Sequence, residues 1–126
     1  MLHPKLEVFE AWVSEGSVVP PVTSIESDPK VGGKYILYVG DGEQQHQMIG
    51  VFKQLVWGDK LEYSWNWQGT DEVTTVTVDF QKSDDGSTLV TLSHQGFQTE
   101  ESKSIHDQGW DSYLSGLSKL IDEKDN

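Results

Sequence analysis

The residues able to do chemistry in this 126-residue chain are four histidines, four tyrosines and 21 carboxylates; cysteine is absent. Without thiols there is no disulfide, no thiol nucleophile and none of the commonest structural zinc ligand. His3, His46, His94 and His106 are scattered, with no paired spacing that would make a metal site, so no metal and no cofactor is expected. His94 closes an alternating run in which Val90 and Leu92 share its side. If that side faces inward, His94 could bond a ligand or move a proton. No Ser, Cys or Asp accompanies it at a telling spacing, so a histidine hydrogen-bonded near a sheet rim is the favoured reading. His106-Asp107 is not a dyad, because neighbouring helical residues point about 100° apart; Asp107 reads as a first-turn acid favouring the helix dipole. Acid–base chemistry is left to His94 and the tyrosines, and no catalytic residue is expected.

The densest signal is Leu61–Trp67. Leu61, Tyr63, Trp65 and Trp67 fall on one side, with Glu62, Ser64, Asn66 and Gln68 on the other. A period of two means a strand with one dry face and one wet face. Three large aromatics on the dry face either fill a core or wall a pocket. The residues alone leave both readings open.

Charge narrows the partners. Nine basic residues, all lysine, stand against 21 acidic ones, for a net charge of −12. Without arginine there is no planar fork for phosphate or carboxylate, and the acidic balance argues against nucleic acid and against anionic membrane surfaces. Gly32-Gly33 precedes a strand rather than a helix, so it reads as a turn needing positive φ, not as a phosphate cradle. No membrane span or signal peptide is visible, which makes the cytoplasm the expected compartment.

The elements that must position these residues follow from periodicity and punctuation. Pro4–Val13 reads as a helix, with Pro4 at its first position, ended by Gly16 and Pro20-Pro21. Strands are expected at Thr23–Ser27, Lys34–Val39, Gln47–Trp57, Leu61–Trp67, Val73–Gln81 and Thr88–His94. Gly40-Asp41-Gly42, Gly58-Asp59, Gly69-Thr70-Asp71 and Asp84-Asp85-Gly86 are the turns between them, and Gly50 marks a bulge or a close approach. A long amphipathic helix follows, capped by Ser104 with Asp107 three residues on. Its apolar face runs Ile105, Gly109, Trp110, Tyr113, Leu114, Leu117, Leu120 and Ile121. Asp122–Asn126 reads as a frayed charged tail. The order implies one domain over residues 1–126, an α+β fold in which a curved antiparallel sheet wraps the long helix. Gly109 and Gly116, seven apart near the apolar face, imply close backbone approach or space left open.

An ordered set of segments resembles the activator of heat-shock-protein-90 ATPase homologue-like family, within the START-like helix-grip (SRPBCC) superfamily. The set comprises Phe9-Glu10-Ala11-Trp12, Asp28-Pro29-Lys30-Val31-Gly32-Gly33-Lys34-Tyr35, Gly50-Val51, Leu61-Glu62-Tyr63-Ser64-Trp65, Thr75-Val76-Thr77-Val78, Gly86 to Phe97 and Gly109-Trp110. The resemblance spans about Val8 to Ile121. It implies a seven-stranded sheet gripping the C-terminal helix, with a cavity between them for an apolar small molecule, and no known catalytic set. Two departures stand out. Only Met1-Leu2-His3 precede Pro4, so the family's first strand is missing or very short, and the Thr88–Gly96 strand should present an edge that is bare or covered by a second copy in a homodimer. The stretch after the first helix is short, which should open the cavity mouth or shrink the cavity.

The expected cavity lining is Tyr35, Leu37, Phe52, Tyr63, Trp65, Trp67, Val76, Val78, His94, Trp110, Tyr113 and Leu117. The leading functional expectation is a non-enzymatic binder of a small hydrophobic or aromatic molecule. The alternatives are an interaction module acting on a chaperone or stress-response partner, which rests on the family name, and a cyclase- or hydrolase-like enzyme of the superfamily.

Overall fold

The structure is a computed structural model that describes residues 3–19, 22–40, 43 and 45–125, with side chains as far as 122. Pro20-Pro21, Asp41-Gly42, Met1-Leu2 and Asn126 lie outside it. The expected helix stop, the first hairpin turn, the lost first strand and the end of the tail rest partly on those residues.

Two helices flank six strands: α1 (Lys5–Val13), β1 (Val22–Ser27), β2 (Lys34–Val39), β3 (His46–Val56), β4 (Lys60–Trp67), β5 (Thr74–Lys82), β6 (Thr88–Gln95) and α2 (Glu100–Asp125). The strands form one antiparallel meander in chain order, as short turns between alternating runs require. Six strands rather than seven are present among the described residues, which leaves β1 and β6 as the two edges. Just ahead of α1, His3 meets both β6 and α2: its carbonyl accepts from Thr88 Oγ1, and its Nε2 lies 2.6 Å from Asp122.

The register brings the large apolar residues into rows on the inner face. Phe52 pairs with Tyr63, Tyr63 with Val76 and Val76 with His94. Gly50 is a close approach: a Cβ there would stand 2.3 Å from the Ser64 carbonyl oxygen. In the turn before β2, Gly32 has φ +86°, while a Cβ on the buried Gly33 would sit 2.0 Å from the Asp28 carbonyl oxygen.

The helix ends differ from expectation. Pro4 is the N-cap of α1, with extended φ and ψ, and its carbonyl takes the first helical bond from Val8. At α2 the cap is Thr99, whose Oγ1 accepts from the Ser102 N–H at 3.0 Å, with Glu100 and Glu101 in the first turn where the dipole favours acids. Ser104 therefore lies inside the helix. Nothing between Asp122 and Asp125 is glycine or proline, and α2 continues to Asp125 instead of fraying at 122. No described helix is long and apolar enough to cross a membrane.

The core is a single cluster. Val8, Phe9, Trp12 and Val13 of α1 lie against Phe80 and Val78 of β5 and against Leu117 and Ile121 of α2, all buried. Phe9 and Trp12 each meet the Phe80 ring edge-on, at centroid distances of 5.3 Å and 5.8 Å. α1 thus occupies the β5 end of the space between sheet and α2.

The two α2 glycines have opposite surroundings. A Cβ on Gly116 would stand 2.4 Å from Val19 Cγ1, whereas a Cβ on Gly109 meets nothing within 4 Å. Alanine favours a helix interior over glycine by about 0.8–1 kcal/mol. Gly109→Ala should therefore raise the unfolding free energy by roughly that amount in urea titrations. Gly116→Ala should lower it by about 1–3 kcal/mol, because the short, branched Val19 side chain has little freedom to withdraw.

Candidate functional site

β4 runs through the middle of the sheet, and its inner-face alternation points Tyr63, Trp65 and Trp67 toward α2. Trp65 and Trp67 reach it, at Trp110 with ring centroids 5.2 Å apart and at His106 through a hydrogen bond. Beside these contacts, between sheet and helix, lies a cavity of about 450 Å³. Tyr35, Leu37 and Val39 of β2 form one side of it, and Val19 and Val22 close an end. α2 contributes Ile105, His106, Gly109, Trp110, Ser112 and Tyr113. Ile105 is 61% exposed, and Gly109 and Ser112 are exposed too, so these residues form the rim.

Of the residues expected to line a pocket, Tyr35, Leu37, Tyr63, Trp65, Trp67, Trp110 and Tyr113 do line this cavity. Phe52, Val76, Val78 and Leu117 do not; they are buried to within 1% in packed core. Val76 and Val78 belong to β5, the half of the sheet that α1 covers. Phe52 packs against the far sides of the Tyr35 and Tyr63 rings, at 5.4 Å and 5.9 Å. Leu117 follows Gly116, where Val19 comes too close to leave a gap. His94 is also absent from the lining and sits behind the wall. His106, absent from the expected lining, is part of it. It stands four and seven residues before Trp110 and Tyr113, on their helix face.

Two tryptophan–histidine pairs fix one end of the wall. An indole N–H can only donate, so the 2.9 Å contact from Trp110 Nε1 makes His94 Nδ1 an acceptor. The His94 proton is then on Nε2, 2.6 Å from Thr74 Oγ1, and Thr74 passes its own proton to the Trp65 carbonyl at 3.2 Å. On α2, His106 Nδ1 donates to the Ser102 carbonyl at 2.8 Å, and Nε2 accepts from Trp67 Nε1 at 3.0 Å. Phe97 packs on both imidazoles, at 4.4 Å and 5.0 Å. Glu72 anchors the turn into α2 through the Gln98 N–H and the Ser102 hydroxyl. The Gln98 bond, and after it the Ser102 bond, hold its carboxyl below the usual range.

The opposite end is phenolic. Trp12 Nε1 donates to Tyr63 Oη at 3.2 Å, and the Tyr35 hydroxyl donates to the Trp12 carbonyl at 3.0 Å. Tyr113 packs edge-on against the Trp12 indole, ring centroids 5.0 Å apart. Burial, foremost, raises all three phenols, so they remain protonated at neutral pH. Among the described residues no cluster of three or more potential metal ligands occurs. The arrangement offers an apolar, aromatic enclosure with hydrogen-bonding groups locked at its two ends. Both imidazoles have each ring nitrogen engaged in the wall.

The family described as Activator of Hsp90 ATPase homolog 1-like protein matches residues 3–122. Protein MLL2253 from Mesorhizobium loti shares the fold with a TM-score of 0.82 at 17% identity, over 98% of this chain and 92% of that one. The AHSA1-like protein from Aeromonas hydrophila gives a TM-score of 0.78 at 19% identity, over 97% of this chain and 87% of that one. DynU16, described as a protein in the dynemicin biosynthetic locus, gives 0.80 at 17% identity, over 94% of this chain but 43% of its own. Likeness at such identities establishes the helix-grip fold. None of the curated proteins matches the chain.

Burial, then the neighbouring His106, pushes the His94 pKa down from 6.5 to about 4, against a smaller opposing pull from Glu72. The folded state therefore favours neutral His94. Its contribution is fully present above pH 6.5 and is lost as pH falls from there towards about 4, since protonation turns Nδ1 into a donor facing the Trp110 donor. Between pH 7 and pH 4.5 the wild-type protein should lose about 2 kcal/mol through this group, after allowance for solvent screening. The loss attributable to it should disappear in His94→Gln, measured by paired urea titrations at the two pH values.

Proposed function

The chain belongs to the activator of Hsp90 ATPase homolog 1-like family, and from that premise we propose that it binds a small apolar or aromatic molecule between the sheet and α2. One observation carries the reading: the cavity of about 450 Å³ has no lysine, aspartate or glutamate among its described lining residues and is walled by three indole and three phenol rings. Ligand sites are typically of this kind, about 300–1,000 Å³ in volume and lined by apolar and aromatic groups with a few polar ones. An apolar guest gains about 25 cal/mol for each Å² removed from water.

Binding is favoured over catalysis by the state of the candidate acids and bases. Each nitrogen of His94 and His106 is engaged in the wall. The phenols hold their protons too firmly to act as bases near neutrality. The likeness of fold to DynU16, described from a biosynthetic locus, supports a small molecule as the guest.

Neutral Nile red should gain fluorescence on binding with a micromolar Kd and should quench the indoles of Trp65, Trp67 and Trp110. Gly109→Trp, which places a ring in the open space beside the rim, should weaken that binding at least about tenfold, or about 1.4 kcal/mol, without lowering the melting temperature. If the wild-type protein takes up no neutral aromatic probe by fluorescence or native mass spectrometry, the reading fails.

A further inference from the structure

Building on the cavity-binding reading, we propose that Tyr63 selects the polar group of the guest: its phenolic proton is offered to a neutral acceptor, so the preferred ligand is an uncharged aromatic carbonyl compound.

The direction of each hydrogen bond at the phenolic end follows from donor and acceptor chemistry. Trp12 Nε1 can only donate, so the Tyr63 oxygen accepts from it. The Trp12 carbonyl can only accept, so the single Tyr35 proton is directed there. The Tyr35 proton is thus committed to the wall, whereas the proton of the buried Tyr63 has no acceptor among the described residues. Two positions along the same face of β4, the buried Trp65 Nε1 is likewise without a hydrogen-bond partner among the described residues.

The wall therefore presents two unmatched donors, the Tyr63 hydroxyl and the Trp65 indole N–H. His106, the other polar ring in the lining, has its acceptor nitrogen occupied by Trp67 and its donor nitrogen by Ser102. A guest with a carbonyl satisfies Tyr63 and brings no unmatched proton. A guest hydroxyl could accept the same bond, but its own proton would have to reach the Tyr113 oxygen or the exposed Ser112 at the rim, and a buried proton that reaches neither is costly. A carboxylate would enter with no cation among the described lining residues, into a protein of net charge −12, and burial of an unpaired charge costs more still. The aromatic part of the guest is set by the indole faces of Trp65, Trp67 and Trp110. Sites that hydrogen-bond a specific group discriminate more sharply than apolar pockets do.

Three probes of similar shape separate the possibilities: 2-acetylnaphthalene, which only accepts; 2-ethylnaphthalene, which is apolar; and 2-naphthoate, which is anionic at pH 7. Tryptophan fluorescence titration should show wild-type protein binding the ketone at least about tenfold more tightly than the carboxylate. Tyr63→Phe should weaken the ketone about tenfold and leave 2-ethylnaphthalene essentially unchanged. The infrared carbonyl stretch of the ketone bound to wild-type protein should lie below its position in hexane, a readout that stands even if the variant does not fold. Equal weakening of ketone and hydrocarbon by Tyr63→Phe, or a carbonyl stretch at its hexane position, would overturn the role of Tyr63 while leaving cavity binding intact. Failure of all three probes to bind wild-type protein would instead remove the cavity reading on which the inference rests.

Discussion

Trp12 is the constraint around which the rest is arranged. It stands one residue from the end of α1, where helix carbonyls lose their intrahelical partners. Its own carbonyl is satisfied by the Tyr35 hydroxyl from β2, and its indole N–H by Tyr63 from β4. The same indole stacks on Trp110 and meets Tyr113 edge-on, both on α2, at 6.0 Å and 5.0 Å. One residue, through its carbonyl and its indole, thus holds the end of α1, two strands and the long helix at a fixed spacing. Since it also fills the β5 end of the interior, Val76, Val78 and Phe80 become packed core, and open space survives only toward β2 and the far turns of β4.

That space needs support at its other end, because an apolar gap gains from collapse. The tryptophan–histidine pairs provide it. Trp110 is tied to β6 through His94, and Trp67 to α2 through His106. Each indole is held at its polar edge, behind the ring surface that faces the cavity. Fully satisfied buried networks of this kind specify one arrangement, since any shift of helix against sheet breaks several bonds at once. The scaffold therefore keeps the two walls apart with hydrogen bonds at both ends and leaves the middle without polar anchoring.

Much of this was legible from the chain. Alternation placed all six strands with boundaries off by at most one residue, because turn residues separate runs whose period is unambiguous. The start of α2 was less legible: Gln98-Thr99-Glu100-Glu101-Ser102-Lys103-Ser104 has no apolar periodicity, and Ser104 with Asp107 imitates the signal that Thr99 with Ser102 actually supplies. Inward-facing residues could be identified on every strand, but alternation cannot separate cavity wall from core. Phe52, Val76, Val78 and Leu117 face inward and are packed, because the position of α1 is a tertiary fact. His106 was missed when weighed against its chain neighbour Asp107; helical spacing to Trp110 and Tyr113 contained the signal. The tryptophan–histidine pairing itself depends on side chains brought together from separate elements, and no local pattern encodes it.

The shortness of the stretch after α1 connects the fold to the shape of the cavity. With little chain available, Val19 passes close over α2, and only glycine at 116 admits it. Val19 and Val22 then seal that end with small branched side chains, where a longer segment would have brought its own bulk. Gly109, two helical turns earlier, does the reverse: no atom outside its own helix turn comes within 4 Å of where its side chain would be, and the exposed Ile105 beside it marks the rim. The same residue type, seven positions apart on one helix face, permits closure at one end and leaves passage at the other. The cavity is therefore set less by the large aromatics that line it than by where side chains are withheld, and access to it runs past Gly109.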